Sequence, residues 1–471
     1  MVVALVVLLI VTGSGEPADR TATPSPAPSP PAGAAQTPNE SPQAPVTDPL
    51  LSYVVNTSPS DTALGEQAVA AAGGSVIVAW PQIGVVVAQS TRAEFAAEVR
   101  EQPNVQSAGA TRTAAVVTHA ELPAQPGVTE PGLPPEGAAY DVAAIGADRA
   151  RNLPGGRGEQ DVLAAVLDSG IEDTHPDLLG QVDPEASAGC TDGGRLRRER
   201  SAWLPTSSEH GTHVAGTIAA LDDGAGVVGV APGVRLASVK VGDDDGFIYP
   251  EYAICGYLWA AMSGAQVSNA SLYVDPWQYW CPDDPDQAAV IEAVGRAVAY
   301  ATDQGVLNVA AAGNDGRDLT DKGIDPSSPN DTTPVPRPVA DACLDLPTEL
   351  PGVLSVAATG PGGDKAGFSN YGLGKIALAA PGVEVWSTTL GGTYGARTGT
   401  SMAAPHVAGA AALLASRMPG ASPAELTEAL LQQADDVACP VPARPQRCTG
   451  TPGDNTFVGA GLVDAYAAAG G

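Results

Sequence analysis

The segment Gly399-Thr400-Ser401-Met402-Ala403-Ala404-Pro405 sets a serine just ahead of the apolar, small-residue run 402–415. A helix starting near Ser401 would place its hydroxyl and backbone N–H at the positive end of the helix dipole, where a developing oxyanion is stabilised. A plain helix cap is the other reading of such a serine. A serine hydroxyl attacks well only when a base removes its proton, and an imidazole with a pKa of about 6.5 suits that task. His210 offers one, at the head of His210-Gly211-Thr212-His213-Val214-Ala215-Gly216-Thr217, which leads into the helix-like run 218–221. The glycines of this segment allow close helix packing. A third group, Asp168, ends the near-continuous apolar run 161–167, the pattern of a buried parallel strand, before Ser169-Gly170 turns the chain. Open α/β sheets gather their sites at the carboxyl ends of strands, although an Asp there is also a common turn residue.

The order Asp168, His210, Ser401 is that of the subtilisin triad and differs from the other known orders of the same constellation. Four segments carry the likeness: Val166-Leu167-Asp168-Ser169-Gly170, His210-Gly211-Thr212-His213, Ala311-Ala312-Gly313-Asn314 and Gly399-Thr400-Ser401-Met402-Ala403. On these, the chain from about residue 140 to its end resembles the subtilisin-like serine protease family. The resemblance implies hydrolysis of peptide bonds in protein or peptide substrates through an acyl-enzyme. Ser401 would be the nucleophile, His210 its base, Asp168 the group that orients the imidazole, and Asn314 the side-chain donor to the oxyanion. It implies substrate contact at Ser271, Leu272, Tyr273 and Gly313. It also assigns catalysis to His210 rather than His213, which reads as a packed helix residue, and gives His175 and His406 structural positions. Tyr273-Val274 departs from the family, which usually has two glycines there, so the cleft is expected to be narrowed or reshaped. The aromatic cluster Trp277, Tyr279 and Trp280 lines a subsite or forms a packed loop.

A structural calcium ion follows from the same resemblance. Asp177 and the loop 221–227 look like the family's calcium loop, with Asp177, Leu221, Asp223, Ala225, Val227 and Glu136 as ligands, and oxygen donors suit a hard cation. A solvated acidic turn is the alternative. No organic cofactor is expected.

These groups need a scaffold, and from residue 138 to 471 the sequence supplies one. Strand-like runs at 234–241, 266–273 and 306–312 alternate with helix-like runs at 249–263 and 287–304, which implies an α/β fold with a parallel sheet and helices on both faces. The polar, Pro-rich stretch 318–350 reads as a surface insertion near the cleft rather than core. Residues 50–118 form a small α+β domain of ferredoxin-like βαββαβ pattern: strands at 51–55, 75–80 and 84–88 and a last one after 103–105, with helices at 61–72 and 91–100. The pattern resembles the inhibitor-type propeptides of the family, which fold the enzyme and then block its cleft; an adaptor domain is the alternative. Residues 119–137 would be the processing linker, with His119 outside the catalytic domain.

Residues 2–11 are unbroken apolar, too short for an ordinary membrane span and right for a signal-peptide core, so 1–15 reads as a signal peptide. Residues 16–49 are rich in Pro, Ala, Ser and Thr and read as a disordered spacer. Secretion is expected, with transient tethering through an uncleaved signal left open, and no stable membrane span. With 23 basic against 53 acidic residues, a net charge of −30, nucleic acid is disfavoured as a partner. Cys190, Cys255, Cys281, Cys343, Cys439 and Cys448 fit an oxidising compartment and three bridges, of which Cys439–Cys448 is the natural local pair. The reading is thus a secreted, monomeric endopeptidase made as a proenzyme with its own propeptide as inhibitor. A catalytically silent scaffold that binds a partner, and a processing protease dedicated to one exported precursor, stand beside it.

Overall fold

The structure is a computed structural model that describes residues 48–116, 139–440 and 448–471. The signal segment 1–15, nearly all of the spacer 16–49, the linker 119–137 and Glu136 lie outside the described residues. The N-terminal part is a ferredoxin-like unit: β1 (Leu51–Asn56), α1 (Thr62–Ala71), β2 (Ser75–Trp80), β3 (Val85–Ser90), α2 (Phe95–Arg100) and β4 (Ser107–Ala110). Its antiparallel strands are ordered β2-β3-β1-β4. The second helix is shorter than the expected 91–100, because Ser90 Oγ and the Arg92 carbonyl take up the N–H groups of Arg92 and Phe95 in turns before regular helix begins.

Short helices α3 (Tyr140–Ala144) and α4 (Ala147–Ala150) lead into the larger domain. There follow β5 (Leu163–Asp168), β6 (Ala188–Asp192), β7 (Arg195–Arg197), α5 (Arg200–Trp203), α6 (His210–Ala219), β8 (Arg235–Lys240), α7 (Pro250–Met262), β9 (Val267–Ala270), α8 (Pro285–Asp303) and β10 (Leu307–Ala311). After a small ribbon, β11 (Ile324–Asp325) and β12 (Arg337–Pro338), come β13 (Val353–Thr359), β14 (Leu378–Pro381), β15 (Val385–Thr389), β16 (Thr393–Arg397) and α9 (Thr400–Arg417). Eight strands form one sheet in the order β14-β13-β10-β9-β5-β8-β6-β7, parallel except at β7. Strand β5 shows why both faces are covered: Ala164 and Val166 join the core under α6 and α9, while Leu163, Ala165 and Leu167 join the one under α7 and α8.

Strand β5 is also the switch point of the sheet, with β8 on one side and β9 on the other. The crevice beyond its carboxyl end is where such sheets bind ligands. The N-terminal unit packs through β1 and β4 on α8. Asn56 Nδ2 donates to the Ala289 carbonyl at 2.9 Å, and Arg296 Nη1 donates to the carbonyls of Thr57 at 2.6 Å and Ile83 at 3.0 Å.

Three further expectations change. The helix placed at 218–221 instead begins at His210 and ends at Ala219, since Ala220 is already extended. Its early start depends on Gly211: a Cβ there would lie 2.5 Å from the Gly170 carbonyl oxygen. The strand placed at 266–273 stops at Ala270, which frees Ser271 to Tyr273 from sheet pairing on the β5 side and turns them toward the cleft. The stretch 318–350 is not merely surface: Leu319, Val339 and Cys343 pack with Tyr279 and Cys281 in a core of their own. The bridges are Cys190–Cys255, Cys281–Cys343 and Cys439–Cys448. No helix among the described residues is long and apolar enough to cross a membrane.

Candidate active site

A cavity of about 620 Å³ opens at the carboxyl edge of the sheet, lined by Asp168, His210, Asn314 and Ser401 together with Ser271, Leu272, Tyr273 and Gly313. Five elements converge there: the end of β5, the start of α6, the turns after β9 and β10, and the first turn of α9. Asp168, 4% exposed, accepts from His210 Nδ1 at 2.8 and 2.9 Å through its two oxygens, and from the Ser169 N–H at 2.7 Å. The Nδ1–H is thereby fixed, and Nε2 is left as the basic nitrogen. Burial works against the imidazolium, but the charge of Asp168 and its hydrogen bond outweigh it and hold the His210 pKa above the usual imidazole range.

The first turn of α9 carries Ser401. Pro405 has no N–H to give the carbonyl four residues back, and the Ser271 hydroxyl replaces it, donating to the Ser401 carbonyl at 2.8 Å. The Ser401 hydroxyl donates to the Ser271 carbonyl at 3.2 Å, so in this rotamer it is not directed at His210. Asn314 accepts through Oδ1 from the N–H and hydroxyl of Thr400, at 2.8 and 2.9 Å. That orientation leaves its Nδ2 donors on the side away from Thr400. Gly313, at φ +94°, donates its N–H to the Thr400 hydroxyl at 3.1 Å; a Cβ there would sit 2.4 Å from Asn370 Nδ2.

The other described histidines lie outside this cavity and fully buried. His213 Nε2 contacts the carbonyls of Val385 and Gly395 at 3.1 Å each, and burial, reinforced by the nearby His210, pushes its pKa down to about 4. His175 accepts the Asp177 N–H, and His406 lies 3.3 Å from Asp141. Tyr273 lines the cleft with its hydroxyl held by Asn330 Nδ2 at 2.9 Å, whereas Val274 points into the core at 0% exposure. Only half of the expected bulk therefore reaches the cleft. Tyr279 and Trp280 are fully buried, and Trp277 stacks under Arg337, so the aromatic cluster is a packed loop.

Residues 177 and 221–227 are brought together. Asp177, 1% exposed, accepts the Val227 N–H at 2.8 Å and the Tyr394 hydroxyl at 2.8 Å, and its carbonyl accepts the Leu221 N–H. Asp223 caps its own turn through the Ala225 N–H at 3.0 Å. The donor chemistry here is oxygen throughout.

Comparison with known proteins matches these elements to one family. The sequence model described as "Subtilase family" matches residues 159–461, more than half of the chain. This chain belongs to the subtilase family. Subtilisin E of Bacillus subtilis (strain 168) is 34% identical over 308 residues, covering 65% of this chain and 65% of that protein. Subtilisin of Bacillus pumilus is 34% identical over 308 residues, covering 65% of this chain and 90% of that protein. The solved structure of fervidolysin from Fervidobacterium pennivorans, a keratinolytic enzyme related to subtilisin, has a TM-score of 0.61 at 26% identity, covering 91% of this chain and 62% of that one. The epidermin leader peptide processing serine protease of Staphylococcus aureus shares the fold, with a TM-score of 0.68 at 21% identity and coverage of 90% and 98%.

The cleft of this subtilase also holds residues that the motifs did not mark: Asp243, Asp275, Gln278, Asn330 and Asp345. Burial pushes Asp275 up to about 7, against the hydrogen bonds it accepts from the Ile248 N–H and Asn330. Gln278, Asn330 and Asp345 belong to segments whose local pattern reads as loop, and only the fold brings them to the cleft.

Proposed function

We propose that this subtilase is a serine endopeptidase made as a secreted proenzyme. The supporting observation is the shared cleft, in which a carboxylate-held imidazole, a helix-start serine and an oriented amide line one cavity. Rotation about χ1 would turn the Ser401 hydroxyl from the Ser271 carbonyl toward His210 Nε2; catalytic hydrogen bonds are often slack without substrate. His210 then takes the hydroxyl proton as Oγ bonds to the scissile carbonyl carbon, and the carbonyl oxygen becomes an oxyanion. Asn314 Nδ2 and the Ser401 N–H donate to it, the latter being one of the unsatisfied donors of the first helical turn. His210 returns the proton to the leaving amine as the C–N bond breaks. Water, deprotonated by the same imidazole, then releases the acyl group.

The N-terminal unit acts in this reading as the inhibitor. Beyond β4, the Arg112 guanidinium lies 3.6 Å from the ring centroid of Tyr249 and pairs with the buried Glu251, while Asp331 accepts the N–H groups of Thr113 and Ala114 at 2.8 and 2.9 Å. Tyr249 and Asp331 are the chain neighbours of two cleft residues, Ile248 and Asn330, so these contacts hold residues 112–114 close to the cleft. A covalent test is labelling of the wild-type protein with a fluorophosphonate, followed by N-terminal sequencing. The expected outcome is labelled Ser401 on a chain beginning within or near 119–137, with Ser401→Ala unlabelled and still carrying residues 50–118. Label on another residue, or a fully active chain that keeps the N-terminal unit covalently, would overturn the proposal in whole or in its proenzyme half.

Calcium belongs to the same reading. Asp177, Asp223 and the main-chain carbonyls of Leu221, Ala225 and Val227 would hold it, with Glu136 contributing if processing leaves it on the mature chain. Its chemistry there is structural, tying the loop to the end of α6. On Ser401→Ala, a chelator should lower Tm by several degrees and added calcium should restore it; superimposable melts in the two conditions would remove the ion.

A further inference from the structure

The floor of the cleft carries a carboxylate that the proposed chemistry does not use. Asp345 lines the cavity yet is 1% exposed. Its Oδ2 has one weak contact, Gln278 Nε2 at 3.5 Å, and its Oδ1 has no hydrogen-bond partner among the described residues. Lys322 is close enough for its charge to act on Asp345, but neither it nor Lys375 donates a hydrogen bond to that carboxyl. Lys322 Nζ and Lys375 Nζ are held by Glu349, at 3.1 and 2.7 Å, and Lys322 also donates to the Leu319 carbonyl. Glu349 in turn accepts the Asp345 N–H at 2.9 Å. A buried acceptor left bare is costly, and native structures seldom keep one without a use.

Position decides what the use is. A Cβ on Gly313 would lie 3.5 Å from Asp345 Oδ2, and Gly313 adjoins Asn314 and donates to Thr400, the neighbour of Ser401. A side chain entering beside the reacting carbonyl would pass the bare backbone of Gly313 and end at Asp345. The Tyr273 hydroxyl, tied to Asn330, forms another part of the wall. Asp243, Asp275 and Asp315 also line the cavity, and among the described residues no lysine or arginine does.

We propose that Asp345 selects arginine or lysine as the residue whose carbonyl is attacked, by pairing with the cationic end of that side chain. An apolar side chain would leave Oδ1 bare, and an acidic one would meet like charge. In the empty cleft, burial together with Glu349 and Asp315 drives the Asp345 pKa well above the carboxylate range. The inference rests on the endopeptidase reading and adds its substrate class.

The test uses the processed wild-type protein and three reagents: a fluorophosphonate with no recognition side chain, and two peptidyl diphenylphosphonates that differ only in arginine-like or leucine-like recognition groups. The arginine-like reagent should phosphonylate Ser401, with loss of phenoxide, at least on the order of 10²-fold faster than the leucine-like one. Benzamidine, an isolated amidinium, should slow the fluorophosphonate. In Asp345→Asn and Asp345→Gly the arginine-to-leucine rate ratio should fall to within a few-fold of unity. A wild-type ratio near or below one, a ratio that survives in a folded variant, or no protection by millimolar benzamidine overturns the assignment. If the fluorophosphonate itself leaves Ser401 untouched, the endopeptidase reading fails first and the selectivity falls with it.

Discussion

Two buried aspartates face the same cleft and are treated in opposite ways. Asp168 is 4% exposed, with its oxygens taken by His210 and the Ser169 N–H. Asp345 is 1% exposed, with Oδ1 bare. The difference lies in the elements that carry them. Asp168 ends a central strand directly opposite the first turn of α6, where Gly211 permits contact at backbone distance, so its partner is built into the fold. Asp345 sits in a loop behind Gly313, a residue with no side chain to meet it, and its natural partner must come from outside. A satisfied carboxylate orients a neighbour, whereas an unsatisfied one discriminates among ligands.

The sharpest way to break this contrast is Asp168→Asn. The amide keeps the size of the side chain but favours the wrong imidazole tautomer, and the comparable change in another serine protease costs about 10⁴ in kcat. The loss should be the same for arginine-like and leucine-like substrates, because Asp168 acts on the reaction through His210. The pH profile adds a second readout. Since the His210 pKa is raised, the acid limb of kcat/KM in wild type should lie above the ordinary imidazole value of about 6.5, and it should move down in Asp168→Asn. An unchanged limb would mean that another group titrates.

What the sequence discloses follows the same division. Asp168, His210, Asn314 and Ser401 stand in short segments with fixed local meaning: a strand end, a helix start, a turn and another helix start. Local pattern suffices for each, and strand β5 and helix α9 are correspondingly easy to read. The helix at His210 is harder, because Gly211 and Gly216 lower its propensity while tertiary contact demands them: a Cβ at Gly216 would lie 2.3 Å from Thr388 Oγ1. Gln278, Asn330 and Asp345 are invisible locally, since the stretch that holds two of them reads as polar insertion. Its burial depends on the Cys281–Cys343 bridge and on partners far away in the chain, which no periodicity records.

Asn314→Ala probes the same end of the cleft with a smaller expected loss. Removing one side-chain oxyanion donor costs about 10²–10³ in kcat in the subtilisin precedent, with little change in substrate affinity. Here the side chain also fastens Thr400 through Oδ1, so a modest drop in Tm should accompany the kinetic loss. The arginine-to-leucine ratio should hold. A defect confined to KM would reassign Asn314 from the oxyanion to substrate binding.

The smallest effect is expected at Asp315, and it separates buried from exposed charge on the specificity side. Asp315 lines the same cavity as Asp345 but is exposed at its rim, with Arg317 close enough to offset part of its charge. Water and salt screen a rim charge, so its attraction for an incoming cation is worth about 0–1 kcal/mol, or at most about fivefold. Asp315→Asn should therefore lower kcat/KM for arginine-like substrates by a few-fold at low ionic strength. The loss should fade at about 1 M salt, where the screening length shrinks to about 3 Å. The pairing at Asp345 excludes water and should persist at that salt concentration. Measuring the arginine-to-leucine ratio of wild type and Asp315→Asn across a salt series checks both at once. If the wild-type ratio collapses with salt in step with the Asp315 effect, the discrimination resides in the field at the rim of the cleft rather than in its floor.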